Sequence, residues 1–324
     1  MIEVTMEIYK DVKKRFMPRF ERYEPVILDH TAIIAAKQCL RKYYYQIVLG
    51  RVPKEDAIYF AWGSAYHVFR EYLEKSYGIG DELPAKYDDN KAMQAFTVAV
   101  NKGLNYWKEK GRDQTTEDKF SWMTSARLLM SFKKAFEHWK VEKIQNKIVV
   151  IASEQPFNIQ LPDGSYRSGT ADQIVRWNGQ IWGRDFKTTS KDTAFYNRQL
   201  SPNEQFTGYT YAEGKLAGGV DCQGQIIELL YNAKGTKSGE KGPDIVALIA
   251  SRTKWQLEEW LEDTAFYVDI IRQAREKDRY PMSEVGCSFC PYHQVCASNN
   301  EAAMMYQLES NYSVRPWDNT KIRD

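Results

Sequence analysis

The order of patterns along this 324-residue chain predicts an α/β fold: helices first, then three strands, a helix, two strands and a last long helix. Two observations carry the prediction. Helical apolar spacing runs through to Ile144 without a strand signal and changes at Lys147, where Ile148-Val149-Val150-Ile151 opens a strand. Further on, Asn178-Gly179, the dipeptide best suited to a two-residue type I′ hairpin turn, lies between the strand-favouring runs Tyr166–Trp177 and Gln180–Thr189. The expected organisation is a single domain over 1–324, with a helical insertion at 78–147 and a sheet core at 148–250.

Thr31–Gln46 and Tyr59–Lys75 carry helical spacing, the second with Trp62, Tyr66, Phe69 and Leu73 on one side. Asn90–Lys108 and Thr116–Lys143 follow as amphipathic helices, separated by Gly111 and polar residues. After the first strand, Pro162-Asp163-Gly164-Ser165 turns the chain into the second. Ser201-Pro202-Asn203-Glu204 reads as a capping box with proline at the first helical position, opening a helix to about Leu216. Gln223–Tyr231 and Ile245–Ala250 read as strands and Thr253–Lys277 as a long helix leading to a cysteine cluster. There are no internal repeats or low-complexity segments.

A formal net charge of +2 excludes a global basic field, so any nucleic-acid binding must use local patches. No apolar run approaches the roughly 20 residues that span a bilayer. The stretch Met1–Lys14 is charged and lacks the apolar core of a signal peptide. These features lead to the expectation of a cytoplasmic protein without a membrane partner.

Counting back from a Trp177–Gln180 pair places Asp172 opposite Asp185. Directly opposed residues have Cβ atoms about 5 Å apart, where like charges are destabilising unless a cation lies between them. Lys187, two residues beyond Asp185, shares its face by strand alternation. The plain alternative is a solvated hairpin on which Lys187 neutralises two surface acids, and a β-bulge would shift the register. Glu154, on the preceding strand, points away if the turn is a two-residue Asp163-Gly164 turn and inward if the loop has three residues. Gln205 and Tyr209, four apart, project from one helix face. In Arg41-Lys42-Tyr43-Tyr44-Tyr45 the tyrosines suit either base stacking or burial, and burial is expected for at least one.

Five cysteines are too few for a disulfide scaffold, but Cys287, Cys290 and Cys296 form a C-x2-C-x5-C array suited to metal. Cys39 is the natural fourth ligand, since Cys222 sits beside a strand with no partner nearby; His293 would instead give a Cys3His zinc knuckle. A ligand set joining Cys39 to the region 280–300 closes a very long loop and would restrict the unfolded chain strongly. Ligand chemistry alone leaves zinc and iron-sulfur both open.

Taken in order, these residues resemble the PD-(D/E)XK nucleases, specifically the RecB-like exonuclease branch with a cysteine-bound iron-sulfur cluster, which includes AddB-type and CRISPR-associated iron-sulfur nucleases. Cys39 resembles the isolated first cluster cysteine, and Gly63-Ser64-Ala65-Tyr66-His67 the motif with a metal-binding histidine. Gly169–Asp172 and Asp185-Phe186-Lys187 resemble the two central acidic motifs, Gln205-Phe206-Thr207-Gly208-Tyr209 the Q-x-x-x-Y motif, and Cys287, Cys290 and Cys296 the terminal cluster cysteines. The segment 78–147 has no corresponding motif.

The resemblance implies a restriction-endonuclease-like core, a mixed central sheet flanked by helices, with a 4Fe-4S cluster stapling the N- and C-terminal regions. It also implies a metal-dependent DNA nuclease in which His67, Asp172 and Asp185 hold Mg²⁺ or Mn²⁺. The oxygen ligands suit hard cations and the imidazole tilts the preference towards manganese. Lys187 would hold the attacking water or stabilise phosphate charge, and Gln205 and Tyr209 would line the cleft. Single-stranded or frayed DNA ends in repair, recombination or phage-type processing are the expected substrate. Two other classes compete: a non-catalytic nucleic-acid-binding iron-sulfur or zinc module, and a subunit of a helicase-nuclease or CRISPR integration assembly docking through 78–147.

Overall fold

The computed structural model describes residues 25–54, 58–80, 87–110, 121–145, 147–191, 193–232 and 242–315. In chain order the elements are β1 (Ile27–Leu28), α1 (His30–Gln38), α2 (Leu40–Tyr43) running into a π-helical turn (Tyr44–Val48), β2 (Arg51–Pro53), α3 (Ile58–Tyr77), α4 (Asp89–Glu109) and α5 (Ser125–Gln145). Then come β3 (Ile148–Gln160), β4 (Tyr166–Trp177), β5 (Gln180–Thr189), α6 (Thr193–Asn197), α7 (Glu204–Leu216), β6 (Cys222–Tyr231), β7 (Asp244–Ser251), α8 (Lys254–Glu276), α9 (His293–Cys296), α10 (Glu301–Asn311) and β8 (Tyr312–Val314). The chain divides into a larger unit, 56–157 with 170–258, and a smaller one, 1–55 with 158–169 and 259–324.

In the larger unit the apolar stripe of α3 does what its spacing predicts: Trp62, Tyr66, Phe69 and Leu73 are all buried. The segment 78–147 supplies their partners. Ala92, Ala95, Ala99 and Gly103 of α4 recur every three or four residues and let the two helix backbones approach closely. From α5, Phe132 stacks on Phe69 with ring centroids 4.3 Å apart and planes within 5°. These helices therefore form the core over α3 rather than a detachable appendage. The expected helix Thr116–Lys143 begins only at Ser125, and its residues 116–120 lie outside the described set.

The sheet of this unit is mixed. β4 and β5 are antiparallel with Trp177 opposite Gln180 and Gln173 opposite Arg184. Asn178 (φ 51°) and Gly179 (φ 78°) supply the two left-handed residues a type I′ turn requires. β5 then runs parallel to β6, with Asp185 beside Ile227 and Lys187 beside Leu229, and β6 pairs antiparallel with β7. A parallel pair needs a crossover, which here carries α6 and α7. β6 buries Ile226, Ile227, Leu229 and Leu230 on either side of the equally buried Glu228, as befits a strand covered on both faces. Gly224 is obligatory on it: φ is +145° and a Cβ would lie 2.3 Å from the Ala250 carbonyl oxygen.

Two helix boundaries differ from expectation. The helix read from Thr31 to Gln46 breaks at Cys39, whose backbone is extended (φ −167°, ψ 120°) between α1 and α2. The capping box placed at Ser201–Glu204 is not formed: Asn203 is the N-cap, its side-chain oxygen accepting Phe206 N–H at 3.0 Å, and α7 starts at Glu204. Asn caps as well as Ser, and here it stands one residue before the helix while Ser201 stands three before it. A reciprocal capping box instead opens α8, where the Thr253 hydroxyl accepts Gln256 N–H and the Gln256 side chain accepts Thr253 N–H.

In the smaller unit β1 lies parallel to the start of β4, pairing Ile27 with Tyr166 and Leu28 with Arg167. Asp29 caps α1 by accepting Ala32 N–H. Ala32, Ile33 and Ala36 of α1 pack with Val268, Ile271 and Ala274 of α8. Tyr43 and Tyr45 are buried, and Tyr44 stacks on Tyr280 with centroids 4.6 Å apart, so the tyrosine run serves packing. Among the described residues no helix is long and apolar enough to cross a membrane.

At Gly103 a Cβ would meet the Phe132 ring at 2.7 Å and the Ala65 carbonyl oxygen at 3.0 Å. Gly103→Ala is therefore expected to destabilise the fold by about 1–3 kcal/mol through overpacking, despite alanine's better helix propensity. Urea unfolding of the variant measures this, and an unchanged or higher midpoint would contradict the packing described.

Candidate active site

α3 turns two adjacent residues to different tasks. Tyr66 points into the core and donates to Glu228 at 2.8 Å. His67, half-buried, places Nδ1 at 3.3 Å from Asp172 Oδ1 and 3.8 Å from Glu154 Oε1. One ligand atom from each of His67, Glu154 and Asp172 lies within 4.8 Å of the others. Donors of one octahedral Mg²⁺ sit about 3 Å apart when adjacent and about 4 Å when opposite, a range in which the 3.3 and 3.8 Å separations from His67 fall.

Glu154 reaches this position through its backbone. Leu161 pairs with Ser165 around a three-residue loop, Leu161 N–H donating to Ser165 at 2.8 Å and Gly164 adopting φ +81°. That is the inward-pointing alternative. Glu154 itself stands at φ 49° in the middle of β3, a left-handed conformation that costs a non-glycine residue about 1–3 kcal/mol. Such strain concentrates at sites where side-chain direction matters.

The second half of the site lies on β5 and α7. The β4–β5 ladder keeps the expected register for five pairs and ends at Gln173–Arg184. At the next step the Phe186 N–H donates to Asp172 Oδ2 at 2.8 Å. The carboxylate of β4 is thus held by the peptide between Asp185 and Phe186. Lys187 Nζ lies 2.8 Å from Asp185, and Gln205 Nε2 donates to Asp185 Oδ1 at 3.2 Å. Tyr209, one turn along α7, sets its ring edge against Phe157 with centroids 5.4 Å apart. The structure so brings together His67, Asp172, Asp185, Lys187 and Gln205, while Tyr209 makes a packing contact beside them.

Two buried carboxylates this close cannot behave alike. Burial penalises the charged form of Asp172, but the neighbouring His67 and Lys187 and the Phe186 N–H outweigh it and hold its pKa below the usual range. Burial, with the charge of Asp172 added, pushes the pKa of Asp185 up, and Lys187 and His67 offset only part of this. Burial works against the Lys187 ammonium too, but Asp185 and Asp172 outweigh it and raise its pKa. Divergent pKa values in one pocket are the pattern of groups set to different acid–base roles.

Behind this face lies an acid that sequence reasoning missed. Glu213 of α7 is fully buried, accepts a hydrogen bond from Gln225, and has Cys222 Sγ at 3.8 Å. Gly183 makes room for it: a Cβ there would sit 2.0 Å from Glu213 Oε2 and 2.2 Å from the Gln225 amide. Burial, with Asp185 and Asp172 adding repulsion, raises the Glu213 pKa well above the ordinary carboxylate value. Its spacing on α7 resembles any helix position, so only the glycine on the facing strand hinted at a large buried neighbour.

In the smaller unit Cys39, Cys287, Cys290 and Cys296 line one cavity of about 340 Å³, together with His293, Lys42 and Tyr292. The Ser283 N–H donates to Cys39 Sγ at 3.3 Å, and the Cys287 thiol donates to the Ser283 carbonyl at 3.4 Å. Burial, with Cys290, Cys39 and Cys287 adding to it, raises the Cys296 pKa although Arg41 opposes them. Cys222 belongs to the larger unit, beside Glu213.

The larger unit thus gathers two acids, a histidine and a lysine on a mixed α/β sheet. The family model of the PD-(D/E)XK nuclease superfamily matches residues 29–297, and the chain belongs to that superfamily. No protein of the curated set matches in sequence. Among solved structures the chain is similar to a Eubacterium rectale protein provisionally named an exonuclease, with 12% identity, a TM-score of 0.48, and coverage of 94% of this chain and 98% of that one. It is also similar to SSO0001, with 9% identity, a TM-score of 0.33, and coverage of 93% and 100%.

A raised Glu213 pKa ties stability to pH. The stabilisation held by the neutral acid is complete below the unfolded carboxylate pKa of about 4.3 and is lost as pH rises towards the folded value. Glu213→Gln keeps the hydrogen bonds and removes the ionisation. The variant should match the wild type near pH 4 and become progressively more stable than it from pH 5 to 8, read as urea midpoints. Parallel curves across that range would contradict the buried neutral acid.

Proposed function

We propose that this chain is a Mg²⁺- or Mn²⁺-dependent deoxyribonuclease of the RecB-like branch, acting as an exonuclease on single-stranded or frayed DNA ends. The observation that carries this reading is the joining of His67, Glu154 and Asp172 to Asp185, Lys187 and Gln205 through the Phe186 N–H bond to Asp172. One nuclease domain over 1–324 would hold its catalytic sheet in 148–250 and its insertion in 78–147. Repair, recombination or phage-type DNA processing is the setting that suits such an activity.

The donors His67, Glu154 and Asp172 fit a divalent cation, and Asp185, expected from the sequence as a holder, lies outside that group and would join it from the peptide that donates to Asp172. A cation held there would supply Lewis acidity towards water and a phosphoryl oxygen. The residues of the chain do the rest. Gln205 holds one Asp185 oxygen and orients that carboxylate. Lys187, partly accessible but pinned to Asp185, offers a fixed ammonium to the attacking water or to charge growing on the phosphate. Tyr209 supports the same wall through Phe157 and, in this reading, positions the strand.

In this reading Cys39, Cys287, Cys290 and Cys296, which line one cavity, would hold a 4Fe-4S cluster that serves the fold rather than cleavage. The N–H donated to Cys39 sulfur is the kind of contact that stabilises a cluster thiolate.

Asp185→Ala and Lys187→Ala are each expected to lower Mn²⁺-dependent degradation of end-labelled DNA by at least about 10²-fold while circular dichroism stays native. Wild-type rates in either variant, or rates in EDTA equal to those in Mn²⁺, would overturn the nuclease reading. Anaerobic purification with iron and acid-labile sulfide analysis tests the cluster separately, and full iron content in Cys39→Ala would exclude Cys39 as a ligand.

A further inference from the structure

Beneath the candidate site, six buried or nearly buried charges are gathered in the larger unit. Arg184 makes a two-pronged pair with Glu142, at 3.0 and 2.7 Å, and reaches Glu228 at 2.6 Å. Arg70 lies 3.4 Å from Glu228, and Lys143 lies 2.8 Å from Glu74, which also accepts the Trp139 indole N–H. Buried ion pairs of this kind often stabilise no more than apolar residues of the same volume, so their presence is better explained by the geometry they impose.

That geometry centres on Phe186. Arg70 lies over its ring at 4.5 Å and Arg184 at 5.6 Å from the centroid, while Tyr66 meets it edge-on at 6.2 Å. Phe186 and Glu228 are cross-strand neighbours on β5 and β6, so the carboxylate that holds the guanidinium groups is tied to the same place in the sheet. None of the Arg70 guanidinium nitrogens Nε, Nη1 and Nη2 has a hydrogen-bond partner among the described residues. Its contacts are the ion pair and the aromatic face.

We propose that Arg70 is a positioning residue of the nuclease site: stacked on Phe186 and anchored by Glu228, it holds the Asp185–Phe186 peptide whose N–H fixes Asp172 beside His67. Tyr66 and Arg70 are four apart on α3 and share the face turned to Phe186, with His67 between them on the flank turned to Asp172. One helix thereby sets both the imidazole and, through Phe186, the carboxylate. The consequence for metal binding rests on the divalent-cation reading above; the clamp itself does not.

Arg70→Lys keeps the charge and loses the planar face that stacks. Two readouts separate positioning from mere stability: hydrogen exchange of the Phe186 amide, and Mn²⁺ affinity by calorimetry on the folded protein. The amide should exchange about tenfold faster while amides of β6 stay protected, and Mn²⁺ should bind about tenfold more weakly. Phe186→Leu should produce the same two effects, and the double variant should add little to either single one. Unchanged Phe186 exchange in folded Arg70→Lys, or strictly additive effects in the pair, would overturn the proposal. If Arg70→Lys does not fold, Phe186→Leu, which leaves every charge in place, gives the same readouts. A wild type that binds no Mn²⁺ would defeat the metal reading alone, and amide exchange would still decide the clamp.

Discussion

Two carboxylates buried side by side are the constraint around which the larger unit is arranged. Like charges in a low-dielectric setting repel strongly, and the fold answers with His67 and a backbone N–H on Asp172 and with Lys187 and Gln205 on Asp185. The answers come from three elements: α3, β5 and α7. The elements must therefore be held in fixed relation, which explains how much of this unit is devoted to locking α3 against the sheet.

The lock has an apolar and a polar part. Phe69, Phe132 and Trp62 form the aromatic core over α3, supplied largely by the helices of 78–147. Next to it the Arg70, Arg184, Glu142 and Glu228 pairs tie α3 and α5 to β5 and β6. Apolar burial is non-directional and tolerates small shifts, whereas a paired guanidinium tolerates few. Glu213 extends the same logic to the far side of Gly183, where a neutral acid fills space that a charged one would make costly.

Local chemistry was legible in the sequence. The Asn178-Gly179 turn set the β4–β5 register through the two left-handed residues it needs, and the pair count from that turn holds up to Gln173–Arg184, one step short of Asp172 and Asp185. The stripe Trp62, Tyr66, Phe69 and Leu73 named its own buried face, and the order of patterns named an α/β fold. Where two residues competed for one local role, the sequence misled: Asn203 rather than Ser201 caps α7, because both have side chains able to accept the orphan N–H groups.

What depended on distance along the chain waited for the tertiary structure. That 78–147 covers α3, that Arg70 stacks on Phe186, and that Glu213 lies behind Asp185 follow from packing between segments far apart in sequence, which no local period encodes. Glu154 shows the division in one residue. Its strand was readable, but its direction turned on a three-residue loop and a left-handed backbone that only the surrounding contacts can hold in place. The sequence by itself determined which residues carry charge, turn and period; the packing decided which of them meet, because non-local contacts alone overcome the strain and desolvation of bringing charges together.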